Sequence, residues 1–182
     1  FGASIKGPGH VHHNGMALVS IGEIEGGLTE RVHRITRIWN VAGFNAKEYE
    51  NIDQLIWEKF ICNVTLAAPC TIYDRNVGQM MEDSEAWKLC ITCGLEAYTA
   101  GRAKGVSFSF EDPVDYITRY SEKLLEARPS MLLDHYAKRR SEIDFINGMV
   151  PVVAGEVGTR APYNEVMSTL IRSREAGFRD VP

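Results

Sequence analysis

Hydrophobic and polar positions along the chain follow two regimes. Up to about residue 22, apolar and β-branched residues come in short runs separated by turn signals. From Gly27 onward they recur at helical spacing. In the first stretch Gly7-Pro8-Gly9 and Asn14-Gly15 read as turns, His10-Val11-His12-His13 lies between them, and the apolar run Met16–Ile21 follows. This predicts a β-hairpin or two edge strands. Leu28, Val32, Ile35, Trp39 and Gly43 then mark a first helix, with Thr29 and Glu30 at its start. After a polar stretch over Asn45–Asn51, a second helix begins near Ile52, and Pro69 should end or kink it. A third runs from about Asp83 to Lys104 and closes on Gly105; a fourth covers Pro113–Glu126. Pro129-Ser130 opens a long helix through Ile143, Ile146 and Met149 to Gly155 or Gly158, and a last helix follows Pro162. No strand pair is expected beyond the first 25 or so residues. The predicted class is mostly α: residues 1–25 form a short β segment and residues 26–182 a multi-helical domain.

Composition narrows this reading. The 182 residues suffice for one domain with a piece of another, and 45% hydrophobic with 24% charged residues is ordinary globular usage. A formal net charge of −4 gives no electrostatic footprint for a phosphate backbone, so no nucleic-acid partner is expected. No apolar run approaches the roughly 20 residues of a bilayer span, so no membrane partner is expected either. The chain opens at Phe1 without a visible signal peptide and reads as part of a longer protein. Its four cysteines read as reduced thiols, which fits a cytoplasmic setting. Cys90 and Cys93 form a C-x-x-C that could be a redox pair, but no second pair or βαβ pattern accompanies it, and buried thiols on a helix are the favoured reading. The three histidines read as exposed strand residues rather than metal ligands. Gly7-Pro8-Gly9 is not a dinucleotide fingerprint, because no helix follows it.

Two constellations could carry chemistry. Lys59 and Asn63 stand at i and i+4 on an otherwise apolar helix, so both project from one face. A partly desolvated lysine has its pKa lowered towards neutrality and can pass a proton to a carbonyl oxygen. Equally, Lys59 could snorkel from the edge of the core while Asn63 caps a neighbouring loop. In the second constellation Ser130 sits at the start of a helix, where its hydroxyl and nearby backbone N–H groups suit a carboxylate. Glu142 lies twelve residues on, about 18 Å along an unbroken helix. The two could serve one cleft only at different depths, or if that helix is broken. By residue type alone this stretch favours a solvated face, with His135, Lys138, Arg139 and Arg140 paired to Asp134, Glu142 and Asp144.

Trp57-Glu58-Lys59 with Asn63, Arg128-Pro129-Ser130-Met131 with Asp134, Glu142-Ile143-Asp144 with Ile146-Asn147-Gly148, and Ala161-Pro162-Tyr163-Asn164 together resemble the ketopantoate reductase (2-dehydropantoate 2-reductase) family in order and interval. The resemblance covers nearly the whole chain, with Lys6-Gly7-Pro8-Gly9 to Gly22 similar to the last strands of that family's cofactor domain. It implies a helical C-terminal domain of the 6-phosphogluconate dehydrogenase C-terminal-like type, preceded by the end of an NADP-binding Rossmann domain. It implies hydride transfer from NADPH to a small 2-oxo acid, 2-dehydropantoate to pantoate in pantothenate and CoA biosynthesis, with Lys59 as general acid, Asn63 holding the substrate and Ser130 binding its carboxylate. Glu142 is implied to contact substrate or cofactor ribose hydroxyls and to steady the lysine. A homodimer is compatible with the resemblance.

The sequence departs from the family in two ways. The G-x-G-x-x-G loop is absent, so the chain alone is expected neither to bind NADPH usefully nor to be active. Ala67 stands where the family often has a further Asn, which removes a polar contact to the substrate and leaves open a 2-oxo acid other than ketopantoate. Two alternatives stand beside this reading: another hydroxyacid or opine-type dehydrogenase, and a non-catalytic helical dimerisation domain that kept the scaffold.

Overall fold

The computed structural model describes residues 2–15 and 18–178. β1 (Gly2–Gly7) and β2 (His10–Gly15) form an antiparallel hairpin around Pro8-Gly9. Gly9 takes the left-handed φ of 69° that this tight turn requires. Asn14-Gly15 is not a turn: it completes β2, with Gly15 opposite Gly2. His10, His12 and His13 are exposed on β2. Of the strand expected over Met16–Ile21, Val19–Ile21 forms β3, while Met16 and Ala17 lie outside the described residues.

β3 pairs in parallel with a strand absent from the sequence reading, β4 (Ala46–Glu48). Helix α1 (Glu30–Val41) is the crossover that a parallel pair needs. The Thr29 hydroxyl oxygen caps α1 by accepting from Val32 N. Asn40 ties the helix to β4, donating to Ala46 O at 3.0 Å and accepting from Ala46 N at 2.9 Å. Because α1 and β4 pack on β3, the first compact unit runs Phe1–Ile56, past the boundary expected near residue 25.

The second unit, Trp57–Pro182, is helical and holds the main core. It is built around α2 (Ile52–Tyr73), which from Trp57 is apolar on nearly every side. Ile61, Val64 and Ala68 are fully buried, the arrangement expected of a helix without a polar face. By length and composition alone α2 would suffice to cross a membrane, contrary to the expectation that no such run exists. Its apolar window is 67% buried inside the protein, so the core accounts for its composition. Pro69 does not end α2: the helix continues to Tyr73 and closes at Asp74, whose φ is 55°. The proline withholds one N–H from the Thr65 carbonyl, a cost of about 3 kcal/mol in an isolated helix. Burial of Ala67, Ala68, Cys70 and Thr71 on either side of it holds the last turn in place.

Helix α3 (Val77–Glu82), not anticipated from the sequence, begins at a capping box formed by Asn76 and Gln79. α4 (Ser84–Ala103) starts at Asp83, whose side chain accepts from Glu85 N and Ala86 N, and it closes before Gly105 as expected. Its small residues Gly94 and Gly101 face α2 at Thr65 and Trp57. A Cβ at Gly94 would collide with Thr65 Oγ1, so only glycine permits this approach. α5 (Pro113–Glu122) is shorter than expected and gives way to turns before Ala127.

The single long helix expected from Ser130 is three pieces: α6 (Ser130–Tyr136), a 3-10 turn (Ile143–Phe145) and α7 (Met149–Glu156). The break is a Schellman motif closed by a lysine instead of a glycine. Lys138 has φ 54°, its N–H reaches His135 O, and Arg139 N reaches Asp134 O. The Arg139 guanidinium also pairs with the Asp134 carboxylate, as the charge pattern suggested. α8 (Pro162–Glu175) follows with its proline in the first turn, as expected.

Candidate active site

Asn63 of α2 and Ser130 at the start of α6 line one pocket of about 120 Å³. Two segments far apart in sequence therefore line one pocket. Neither the Asn63 amide nor the Ser130 hydroxyl makes a side-chain hydrogen bond among the described residues, so both are available to a ligand. Arg128 joins them at the pocket and is exposed. The remaining wall is largely apolar and includes Leu66, Ala67 and Ile146.

Lys59 lies one turn before Asn63 on the same face of α2, about 6 Å along the axis. Its side chain is exposed, so the partial desolvation expected of it is not supplied by the described residues. Its neighbour Glu58 points the other way and is buried at 6% exposure, with a carboxylate oxygen accepting from Ser109 N at 2.7 Å. That bond fixes the rotation of this turn of α2, which keeps Lys59 on the outer side.

Glu142 is not brought to the pocket. It is exposed, and its carbonyl accepts from Phe145 N and Ile146 N at the start of the 3-10 turn. The broken helix returns the chain so that Ile146, four residues on, reaches the pocket wall. A buried carboxylate holds this return: Glu175 Oε1 lies 3.0 Å from His135 Nε2 and accepts from Ser141 N at 3.0 Å and Ser141 Oγ at 2.6 Å. His135 therefore pairs with Glu175, and Asp144 with Arg172, instead of the local pairings expected.

Asn147 and Asn164, quoted above only as parts of a pattern, form a buried amide relay. Asn164 Nδ2 donates to Cys93 O at 3.0 Å and Glu96 Oε2 at 2.7 Å. Its Oδ1 accepts from Asn147 Nδ2 at 2.8 Å, and Asn147 Nδ2 also donates to Val64 O at 2.9 Å. The Glu96 carboxylate can only accept, so it fixes the direction of both amides. Asn147 Oδ1 is left buried without a hydrogen-bond partner among the described residues. Glu96 also accepts from Tyr163 N and Asn164 N, capping α8. The relay locks α2, directly after Asn63, to α4, α7 and α8.

All four cysteines are free and buried. Burial pushes the thiols of Cys62, Cys70 and Cys93 up to about 12, and Cys90 higher still. A thiolate is the reactive form. The C-x-x-C is therefore expected to be inert in the folded protein: a thiol-labelling reagent at neutral pH should modify none of the four until denaturant is added. Rapid native labelling of Cys90 or Cys93 would reopen the redox reading.

Residues 51–175, more than half of the chain, match the family described as "Ketopantoate reductase PanE/ApbA C terminal". The chain belongs to the ketopantoate reductase family. It is 29% identical over 175 residues to a 2-dehydropantoate 2-reductase of Streptococcus pyogenes serotype M3, covering 96% of this chain and 57% of that protein. It is 25% identical over 178 residues to the Archaeoglobus fulgidus 2-dehydropantoate 2-reductase, covering 98% and 60%. Among solved structures, a PanE/ApbA family ketopantoate reductase from Ralstonia eutropha JMP134 superposes with a TM-score of 0.86 at 26% identity, covering 96% of this chain and 57% of that one. A D-mandelate dehydrogenase in complex with NADH superposes at 0.87 and 25% identity, covering 98% and 60%. The chain thus spans a little under two thirds of the length of the relatives it matches. Within the ketopantoate reductase framework, Asn147 and Asn164 are packing residues and Asn63 and Ser130 face the pocket. Arg128 and Tyr120 are polar pocket residues to which the sequence reading gave no role, although the place of Arg128 two residues before Ser130 was an available signal.

Proposed function

We propose that this chain forms the substrate-side part of a nicotinamide-dependent reductase of a small 2-oxo acid, with NADPH as the preferred dinucleotide. The observation that carries this reading is the convergence of the unengaged side chains of Asn63 and Ser130 on one pocket, with Lys59 a turn away. The names of the relatives and the NADH complex of a structural neighbour support the reaction class and the cofactor class.

Arg128 and Ser130 hold the substrate carboxylate, the guanidinium supplying charge and a forked pair of donors. Asn63 orients the ketone. The Lys59 ammonium stands where negative charge develops on the ketone oxygen, stabilises it and delivers its proton. As the ketone is reduced its oxygen takes the Lys59 proton, so C=O becomes CH–OH, and the amine is reprotonated from solvent. Glu142, at the surface, contacts ribose hydroxyls in this reading.

The dinucleotide supplies the hydride when bound, but the described residues form no cradle for its phosphates. The turn between β3 and α1 does contain Gly26 and Gly27. Their N–H groups are already bonded to Glu23 O and Glu50 O, and the Glu23 carboxylate lies against Thr29 and Arg31. An anion would meet a carboxylate there instead of free donors.

The test is 2-oxo-acid-dependent oxidation of NADPH by the protein made from its complete coding sequence. Arg128→Ala is expected to raise KM by about tenfold or more and to change kcat less, as for loss of uniform binding. Oxidation of NADPH with no 2-oxo acid in a broad panel would rule the reading out.

A further inference from the structure

The pocket that receives Asn63 and Ser130 also carries information about the rest of the substrate. Its polar lining is Asn63, Arg128, Ser130 and Tyr120; the other walls are Leu66, Ala67, Val77, Leu124, Ala127 and Ile146, with Pro129. The carboxylate and ketone of a 2-oxo acid engage the first three polar residues in the reading above. The tail then lies against a largely hydrocarbon wall. This wall is rigid, because Leu66 and Val77 belong to a second core cluster with Cys70, Met80, Ala86 and Cys90. The Tyr120 ring and Ala127 pack on the same cluster, so the tyrosine gives this wall its ring. A polar tail would leave its groups unpaired against such a wall, whereas a hydrocarbon tail would not.

We infer that the 2-oxo acid reduced at this site has a hydrocarbon tail without a hydroxyl group. The inference rests on the reductase reading and deepens it. A tail hydroxyl entering this wall would lose its water, and Tyr120 is the one hydroxyl-bearing side chain of the lining that is not assigned to the acid head. Exclusion of an added hydroxyl by an apolar pocket is worth about tenfold to a hundredfold in kcat/KM.

A matched pair of substrates tests this. Trimethylpyruvate and 2-dehydropantoate share one carbon skeleton and differ only by the terminal hydroxyl. With the full-length protein and NADPH, trimethylpyruvate is expected to be reduced with at least a tenfold higher kcat/KM, and titration calorimetry with the oxidised cofactor present should rank the affinities of the two acids in the same order. Equal or reversed preference would overturn the inference while leaving the reductase reading intact. Reversed preference that Tyr120→Phe abolishes would also overturn it, and would assign Tyr120 as the receptor of a substrate hydroxyl. Reduction of neither acid, nor of pyruvate or phenylglyoxylate, would remove the reductase reading and this inference together.

Discussion

Lys59→Ala in the full-length protein is expected to lower kcat by about a hundredfold to ten-thousandfold, the range for loss of a positioned general acid. The argument is geometric. Glu58 is held inward by Ser109 N, so Lys59 is carried outward on the face that presents Asn63 one turn later. An alkoxide forming beside Asn63 would find no other ammonium on that face of α2. KM should move little, because Asn63, Arg128 and Ser130 hold the acid. Lys59→Arg separates charge from proton transfer: a guanidinium keeps the positive charge but gives up its proton very reluctantly. It should restore only a small part of the lost rate. A kcat for Lys59→Ala within a few fold of the parent enzyme would remove Lys59 from the mechanism.

The second large effect is expected on stability. Asn164→Leu deletes a buried amide that donates to Cys93 O and Glu96 and accepts from Asn147. Cys93 O, the half-buried Glu96 carboxylate and Asn147 Nδ2 each lose a partner, though Glu96 keeps Tyr163 N and Asn164 N and Asn147 keeps Val64 O; a lost bond costs about 0.5–1.5 kcal/mol, and one to a charged group about 1.5–3 kcal/mol. With partial relaxation the loss should be about 3–5 kcal/mol, and the melting temperature should fall by roughly 8–16 °C for a protein of this size. Asn147→Leu should cost less. It strands Val64 O and Asn164 Oδ1, but it also removes the Asn147 carbonyl oxygen that is buried without a partner. Thermal melts of both variants check the size and the order. If Asn147→Leu proved the more damaging, the direction assigned to the relay would be wrong.

Legibility from sequence followed the strength of local signals. α1, α4 and α8 could be read because a capping residue or proline at one end coincides with an apolar period along the body. β4 could not, since three residues, Ala-Lys-Glu, give no alternation, and their pairing is set by α1 and Asn40. α3 carried an Asn76-to-Gln79 capping signal that a six-residue helix left without a period to support. Pro69 reads locally as a terminator, and only the surrounding core overrides it. Lys138 reads as a helix former, yet it adopts the left-handed conformation because the Schellman bonds and the Glu175 anchor fix the chain on both sides. At the site, spacing on α2 placed Asn63 and Lys59 on one face, and the family resemblance brought Ser130 to them. The exposure of Lys59 was not legible because a bond from distant Ser109 to Glu58 sets the rotation of that turn, and the displacement of Glu142 was not because it depends on how a broken helix folds back.

The Asn147-Gly148 dipeptide has a bearing on how this protein ages. An asparagine followed by glycine is the pair most prone to backbone attack on the side-chain amide, which releases ammonia and leaves a rearranged acidic residue. Here the amide is fully buried and tethered to Val64 and Asn164, and the helical backbone at Gly148 does not present its nitrogen for attack. Chemical damage at this bond is thus confined to molecules that have opened, and an altered chain cannot rebuild the relay when it closes. Storage lifetime should therefore track the frequency of opening more closely than the time spent folded.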